Sequence, residues 1–484
     1  MVTELMNPLT KLSETMGTDR IKTDPSATET YAVDGLRPGA VIFPRNMREV
    51  SQVVKTANQE NLSIIPWGSG SKMGSGRVPS RVDWVVSASR MNHMLDVDTA
   101  NLTITVEAGV RFRDVQARLA TEDDRCYLPL EDLTTPQDEL ICSDRSNSGC
   151  FLPMDPPFSE TATMGGIVAA NSSGPRRLLY RFPRDLLLGV RFVAPNGDVV
   201  GTGGKTVKNV SGYDISKLMV GSFGTLGFIC EMTFKLLPLP EQMETLFVTF
   251  DSLDAACGLV EQVLDTPLLP AAVEIMNRNA WGTLSLSKEE PQGAGGFGVA
   301  VAMEAFRPAV DRMQHDILQL ATKMGAKGNA RFQEEDHRRF WLMVSQLQKT
   351  VRDQSPNLIV FQLTYPISVM QEAALFAEKT LSQSGMDHTL LIHGGTGSLV
   401  GTLAHEAHTR SEETVVGVLR DLLDGCREKG GNLIILSAPP DLKPRLKMWG
   451  DPGNDLKVMR RIKTQVDPSG IFSPGRFLTD DSRS

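Results

Sequence analysis

Apolar positions in the first part of the chain follow two rhythms in turn. After Asn46, residues Val50, Val53, Val54 and Ala57 recur at i, i+3, i+4 and i+7, the spacing of one buried helical face, and Asn46 stands where a cap is needed. SIIP (63–66) then reads as a strand. VDWVVSAS (82–89) and LTITVEAG (102–109) read as two more, separated by the turn formers of DVDTAN. RFRDVQARLA (111–120) goes back to amphipathic helical spacing. Strand and helix therefore alternate, and the first half is predicted to be α plus β.

The pattern is lost over 123–150, which has no sustained period and many turn formers, and is expected to be an inserted surface loop. It returns with LLGVRFVA (187–194) and VVGTGG (199–204), joined by Asn-Gly-Asp, a strong hairpin turn. A Pro-punctuated linker puts a domain boundary at Pro240. Beyond it AAVEIMN, GFGVAVAMEA, LIVFQLTYP, TLLIHGG and NLIILSAP supply strands with helical spacing between them. The predicted organisation is a loosely held polar leader (1–35), a first α+β domain (36–240, insertion 123–150), a second α+β domain (241–444) and a C-terminal segment (445–484).

Composition narrows the function without deciding it. A 484-residue chain with 41% hydrophobic and 22% charged residues is ordinary for a globular protein, and a net charge of −8 argues against bulk nucleic-acid binding. The start of the chain has no secretory pattern, and no apolar run is long enough to span a bilayer, so a cytoplasmic location is expected, with membrane contact only through partners. Six cysteines form no CxxC pair; three of them, Cys126, Cys142 and Cys150, lie irregularly spaced in one polar stretch. Free thiols and no metal are the expectation.

Three glycine-rich stretches carry the candidate chemistry: PWGSGSKMGSG (66–76), TATMGGIVAANSSG (161–174) and VGSFGTLGFICE (220–231). Glycine lets main-chain N–H groups approach an anion with no Cβ in the way. None of the three contains a Walker A string. The first puts Met73 where a dinucleotide fingerprint needs its third glycine, and strand rather than helix follows.

Together with DPSGIFSPGRF near the C-terminus, these stretches resemble the FAD-binding oxidoreductases of the vanillyl-alcohol oxidase, or PCMH, type. Within that superfamily SGPRR, KNVSGYD and the terminal WGDPGNDLKVMRRIKTQVDPSGIFSPGRF are most similar to GlcE, the E subunit of bacterial glycolate oxidases. The likeness covers about residues 38 to 240 and the last thirty or so, and it is thin between them. It implies an FAD-binding domain of two subdomains, then an α+β cap domain over the flavin, with Phe472 to Phe477 returning to the first domain. Pro66, Trp67, Gly68, Ser69, Gly70, Ser71, Met73 and Gly74 would form the diphosphate loop. Thr163, Gly165, Gly166, Val168, Asn171 and Gly174 would lie along the flavin and ribityl chain, and Gly227 and Ile229 would present main chain to the cofactor. Relatives that attach FAD covalently use a His or Cys beside the first loop. Ser69 to Met73 contain neither, so FAD is expected to be noncovalent.

The relatives' histidine cluster, of the form HxHxGDGNxH, is here reduced to LIHGGTGSLV, with His393 alone. His393 is the candidate general base, and a lone strand-end histidine also suits a purely structural role. His405 and His408, near Glu406, suit a solvated face better than a metal site. Arg176, Arg177, Arg181 and Arg184 could hold a carboxylate substrate or an acidic partner, or simply pair with Asp and Glu. The resemblance implies an FAD-dependent enzyme acting on CH–OH groups, passing reducing equivalents within a complex that holds a catalytic flavin subunit and an iron–sulfur subunit. A non-catalytic assembly subunit and a self-sufficient dehydrogenase remain as alternatives.

Overall fold

The computed structural model describes residues 8–129, 141–146, 148–204, 214–284, 295–355, 357–404 and 412–478. His405, His408, most of KNVSGYD and much of the 123–150 insertion lie outside them.

The first half of the chain folds around two sheets that share one core. Strands Ile21–Lys22, Ala40–Ile42, Trp84–Ser87 and Ile64–Trp67 pair in that order, the last three parallel. The crossover between parallel strands is helix Met47–Gln59, capped by the Asn46 side chain on the amide of Glu49, with Val50, Val53, Val54 and Ala57 buried. A five-stranded antiparallel sheet runs Met94–Asp98, Thr103–Glu107, Phe228–Lys235, Leu187–Val193, Val199–Gly203. Asn196 and Gly197 turn its hairpin, with Gly197 at φ 85°. DVDTAN, read as a turn, contributes its Asp-Val-Asp to the strand Met94–Asp98.

The described part of the leader, residues 8–35, is packed rather than loosely held. Helix Pro8–Met16 buries Leu12 and Met16 in the core of the first half, Arg20 pairs with Glu49 at 2.6 Å, and Asp34 pairs with Lys443 at 2.5 Å. Its polar composition hid two apolar side chains four residues apart, enough to seat one short helix.

From Gln242 the chain enters a separate eight-stranded antiparallel sheet, ordered Gly328–Gln333, Gln242–Phe250, Phe297–Ala305, Ala272–Asn277, His388–His393, Ser398–Ala404, Leu358–Thr364, Asn432–Ser437. Helices Leu253–Leu264, Arg307–Lys323, Met370–Ser384 and Glu412–Glu428 cover one face, and helix Glu334–Gln354 packs its Phe340 and Trp341 on the other. That second face is turned toward the first half of the chain, and His393 lies on its central strand.

After helix Asp455–Val466 the tail crosses back. Ile64 N–H donates to Ile471 O at 2.7 Å and Ser473 N–H donates to Ile64 O at 2.9 Å, so the tail extends the first sheet beside strand Ile64–Trp67. Phe472 is fully buried in the core of the first half, worth about 1.5–3 kcal/mol by area alone.

Candidate functional site

Strand Ile64–Trp67 ends in the first glycine stretch, and two of its glycines are required by geometry. Gly70 has φ 81°, in the left-handed region. A Cβ on Gly68 would stand 2.2 Å from Thr163 Oγ1, so only a glycine lets this loop lie against the start of the second stretch. Thr163 in turn caps helix Met164–Ala169 by accepting from Gly166 N–H at 3.3 Å. The second glycine stretch thus opens a helix rather than ending a strand. The third precedes strand Phe228–Lys235, in the middle of the five-stranded sheet.

The three stretches close around a narrow slot of about 100 Å³ that opens into a chamber of about 620 Å³. The two share Gly70, Ser71, Lys72, Ala170 and Phe223 as walls. Pro66, Trp67, Gly68, Ser69, Gly70, Ser71, Met73, Thr163, Gly165, Gly166, Gly227 and Ile229 line the slot. Gly74, Asn171, Gly174 and His393 line the chamber. Val168 does neither: its side chain is fully buried in the core, and only its carbonyl, which accepts from Gly221 N–H at 3.0 Å, works near the site.

Two cations at this site were not singled out by the sequence. Lys72 lines slot and chamber alike and donates to Ser172 Oγ at 2.5 Å; burial alone pushes it down to about 7, and among the described residues no carboxylate pairs with it. Arg476, from the returning tail, donates to Met73 O at 2.7 Å and to Ser75 O, and so fixes the loop's far end. Lys72 stands inside the quoted glycine stretch, where an ionisable side chain among glycines was the available signal.

The chamber lies between the two halves of the chain. On the sheet wall His393 Nδ1 is 2.8 Å from Glu274 on the neighbouring strand. Burial and the charge of Arg177 hold the imidazole well below its usual range, so it is neutral at pH 7. Burial raises Glu274 and Arg177 opposes that rise. Arg177, from the first half, donates to Ser398 Oγ at 2.5 Å beside His393, and its Nε has no partner. Its neighbour Arg176 behaves quite differently. It is spent on a buried ion pair with Glu304 at 2.6 Å and contacts His337 at 3.0 Å, while Arg181 and Arg184 are exposed. Val400, at the place of the relatives' last histidine, is the register partner of Leu391, and no metal-ligand group forms at this wall among the described residues.

These features suit FAD: a slot lined by glycines from all three stretches, one of which packs too closely on Thr163 to carry a Cβ, a buried lysine lacking a counter-charge, and an unpartnered Ser222 hydroxyl buried beside Phe223 of the slot wall. Residues 38–130 and 145–203 match the FAD binding domain family, and residues 239–434 match the C-terminal domain of FAD linked oxidases. The chain is 26% identical over 456 residues to glycolate oxidase subunit GlcD of Bacillus subtilis, covering 92% of this chain and 90% of that one. It is 26% identical over 449 residues to a D-lactate dehydrogenase of Archaeoglobus fulgidus, covering 90% and 91%. Among solved structures, p-cresol methylhydroxylase with substrate bound shares the fold at a TM-score of 0.72 and 17% identity, over 97% of this chain and 96% of that one. No helix among the described residues is long and apolar enough to cross a membrane.

Proposed function

Because the chain belongs to the FAD-linked oxidoreductases that join an FAD-binding domain to an FAD-linked oxidase C-terminal domain, we propose that it oxidises a small 2-hydroxy acid, as an FAD-binding subunit of a glycolate oxidase-like assembly. The supporting observation is that Arg177 and His393 both line the chamber, a cation from one half of the chain held on Ser398 beside a neutral imidazole from the other.

Bound FAD supplies a two-electron acceptor. The glycine loop, Lys72 and the carbonyl-anchoring Arg476 hold its anionic part, and Ser69 to Met73 offer no His or Cys for a covalent link. Arg177 binds the substrate carboxylate through its guanidinium, whose Nε has no protein partner while its other two nitrogens donate to the hydroxyls of Ser173, Thr396 and Ser398. His393 takes the hydroxyl proton at Nε2 when Glu274 is ionised and accepts Nδ1–H, the same relation that fixes the tautomer in other acid–base pairs. The hydroxy acid thus gives its hydroxyl proton to His393, and its α-hydrogen would leave with the C–H bonding pair to the acceptor that bound FAD supplies, giving a 2-oxo acid.

Similarity to subunit GlcD favours a redox-active subunit over a purely structural one, and the likeness of SGPRR to the E subunit favours work within a complex. The test is the absorption spectrum of the isolated chain, followed by anaerobic glycolate or D-lactate. A yellow protein that bleaches only after partner subunits are added supports the proposal. Bleaching of the chain alone removes the assembly from it, and a colourless chain that ignores added FAD removes the redox role altogether.

A further inference from the structure

Well away from the slot, the two ends of the described insertion come together under helix Glu334–Gln354. The Sγ of Cys126, the Sγ of Cys142 and a carboxylate oxygen of Asp144 all lie within 4.8 Å of one another. Cys126 is fully buried and Cys142 is 4% exposed. From the helix, Arg338 donates to Cys126 Sγ at 3.1 Å and Cys126 O at 3.0 Å through one nitrogen, and to Asp144 at 2.8 Å through the other. The Asp124 carboxylate, which accepts from Ser143 N–H at 2.6 Å and Ser143 Oγ at 2.7 Å, acts on Cys142 from beside the set.

We propose that Cys126, Cys142 and Asp144 form a structural site for a thiolate-preferring divalent cation, with zinc as the type ion. Two soft sulfur ligands and a carboxylate are a donor set that zinc accepts, and a tetrahedral centre with Zn–S of about 2.3 Å puts its sulfurs about 3.8 Å apart, which fits inside the 4.8 Å limit of the set. Charge supports the same reading. With both thiols protonated, Arg338 and Asp144 cancel. With both thiols ionised, one divalent cation and Arg338 cancel two thiolates and one carboxylate. Binding exchanges one M²⁺ for two protons and so leaves the net charge of the buried site unchanged. Arg338 then acts as a positioning residue, its N–H groups on a ligating sulfur and a ligating carboxylate.

The irregular spacing that argued against a metal in the sequence is spanned by the chain between residues 126 and 142. A bound ion would close that span and fasten the first half of the chain to the cap helix through Arg338.

The test uses the full-length protein. Chain purified from zinc-supplemented medium should carry about one zinc, and its X-ray absorption should fit two sulfur and two oxygen or nitrogen ligands. Cobalt(II) exchanged into it should give an intense near-ultraviolet thiolate-to-cobalt band. Cys142→Ser should lose the band and weaken zinc retention about a hundredfold, Arg338→Gln should weaken it about tenfold, and Cys257→Ala, in the cap core, should leave both unchanged. The wild-type measurements decide the matter even if Cys142→Ser does not fold. A zinc-free chain that gives no cobalt band, a ligand shell without sulfur, a band that persists in Cys142→Ser, or a Cys126–Cys142 disulfide in the freshly purified chain overturns the proposal.

Discussion

Arg476 donates to the carbonyl of Met73 at 2.7 Å across 403 residues of sequence. A turn of the returning tail thereby anchors the first glycine loop. Replacing Arg476 by Met would leave the Met73 and Ser75 carbonyls without this donor, at about 1–3 kcal/mol. FAD affinity is expected to fall about tenfold or more, read by fluorescence titration of the apoprotein, with the far-ultraviolet spectrum unchanged. Undiminished affinity would show that the loop holds its shape without the tail.

Lys72 gives FAD binding a pH dependence of definite sign. Its free-state pKa is pushed down to about 7, and a bound anion raises it. Below pH 7 both states are protonated and affinity is flat; above it, binding must take up a proton and weakens. Lys72→Met should bind more weakly at pH 6 and lose the slope, which parallel titrations at pH 6 and 8.5 would reveal.

His393 is held neutral by burial and by Arg177, so it stays competent as a base below the usual imidazole range. Any fall in rate as pH drops through 6.5 is therefore expected to follow protonation of Glu274, which burial raises and whose ionised form the base requires, rather than protonation of the imidazole. His393→Asn is expected to cut kcat by about 10²–10⁴ with FAD content unchanged, and Glu274→Gln to lower kcat by disturbing the tautomer. A full rate in His393→Asn, with substrate saturating, would return this histidine to a structural role.

The buried contact between the two halves should be acid-sensitive. Burial alone would raise Glu304, but Arg176, with hydrogen bonds from His337 and Tyr180, holds it down to about 2 against an ordinary 4.5. The stability it contributes is present above pH 4.5 and is lost as pH falls toward 2. Glu304→Ala leaves Arg176 buried without its partner, a loss of about 3–5 kcal/mol, and Tm measured at pH 7 should drop sharply.

No Cys or His lines the slot among the described residues. Acid precipitation should therefore leave all flavin in the supernatant, and colour retained in the washed pellet would reveal a covalent link.

The glycine stretches were legible because close approach to a ligand leaves a compositional mark: nearly every residue singled out in 66–74 faces the slot or the chamber. Val168 lines neither cavity because helix Met164–Ala169 turns its side chain into the core, a matter of helical phase that the glycine pattern does not encode. The arginine run was legible only as a choice. Adjacent residues 176 and 177 take opposite fates because Glu304 reaches one and the hydroxyls of Thr396 and Ser398 the other, and these partners come from the distant half of the chain. The Cys126–Cys142–Asp144 cluster was illegible for a related reason, since its closeness depends on the path between its members and not on their spacing.

The tail's place beside strand Ile64–Trp67 also bears on biogenesis. A ribosome must release nearly all of the polypeptide before residues 471–476 can dock, so the cofactor cradle is completed last. A nascent or C-terminally clipped chain would fold much of its bulk while remaining unable to retain a vitamin-derived prosthetic group.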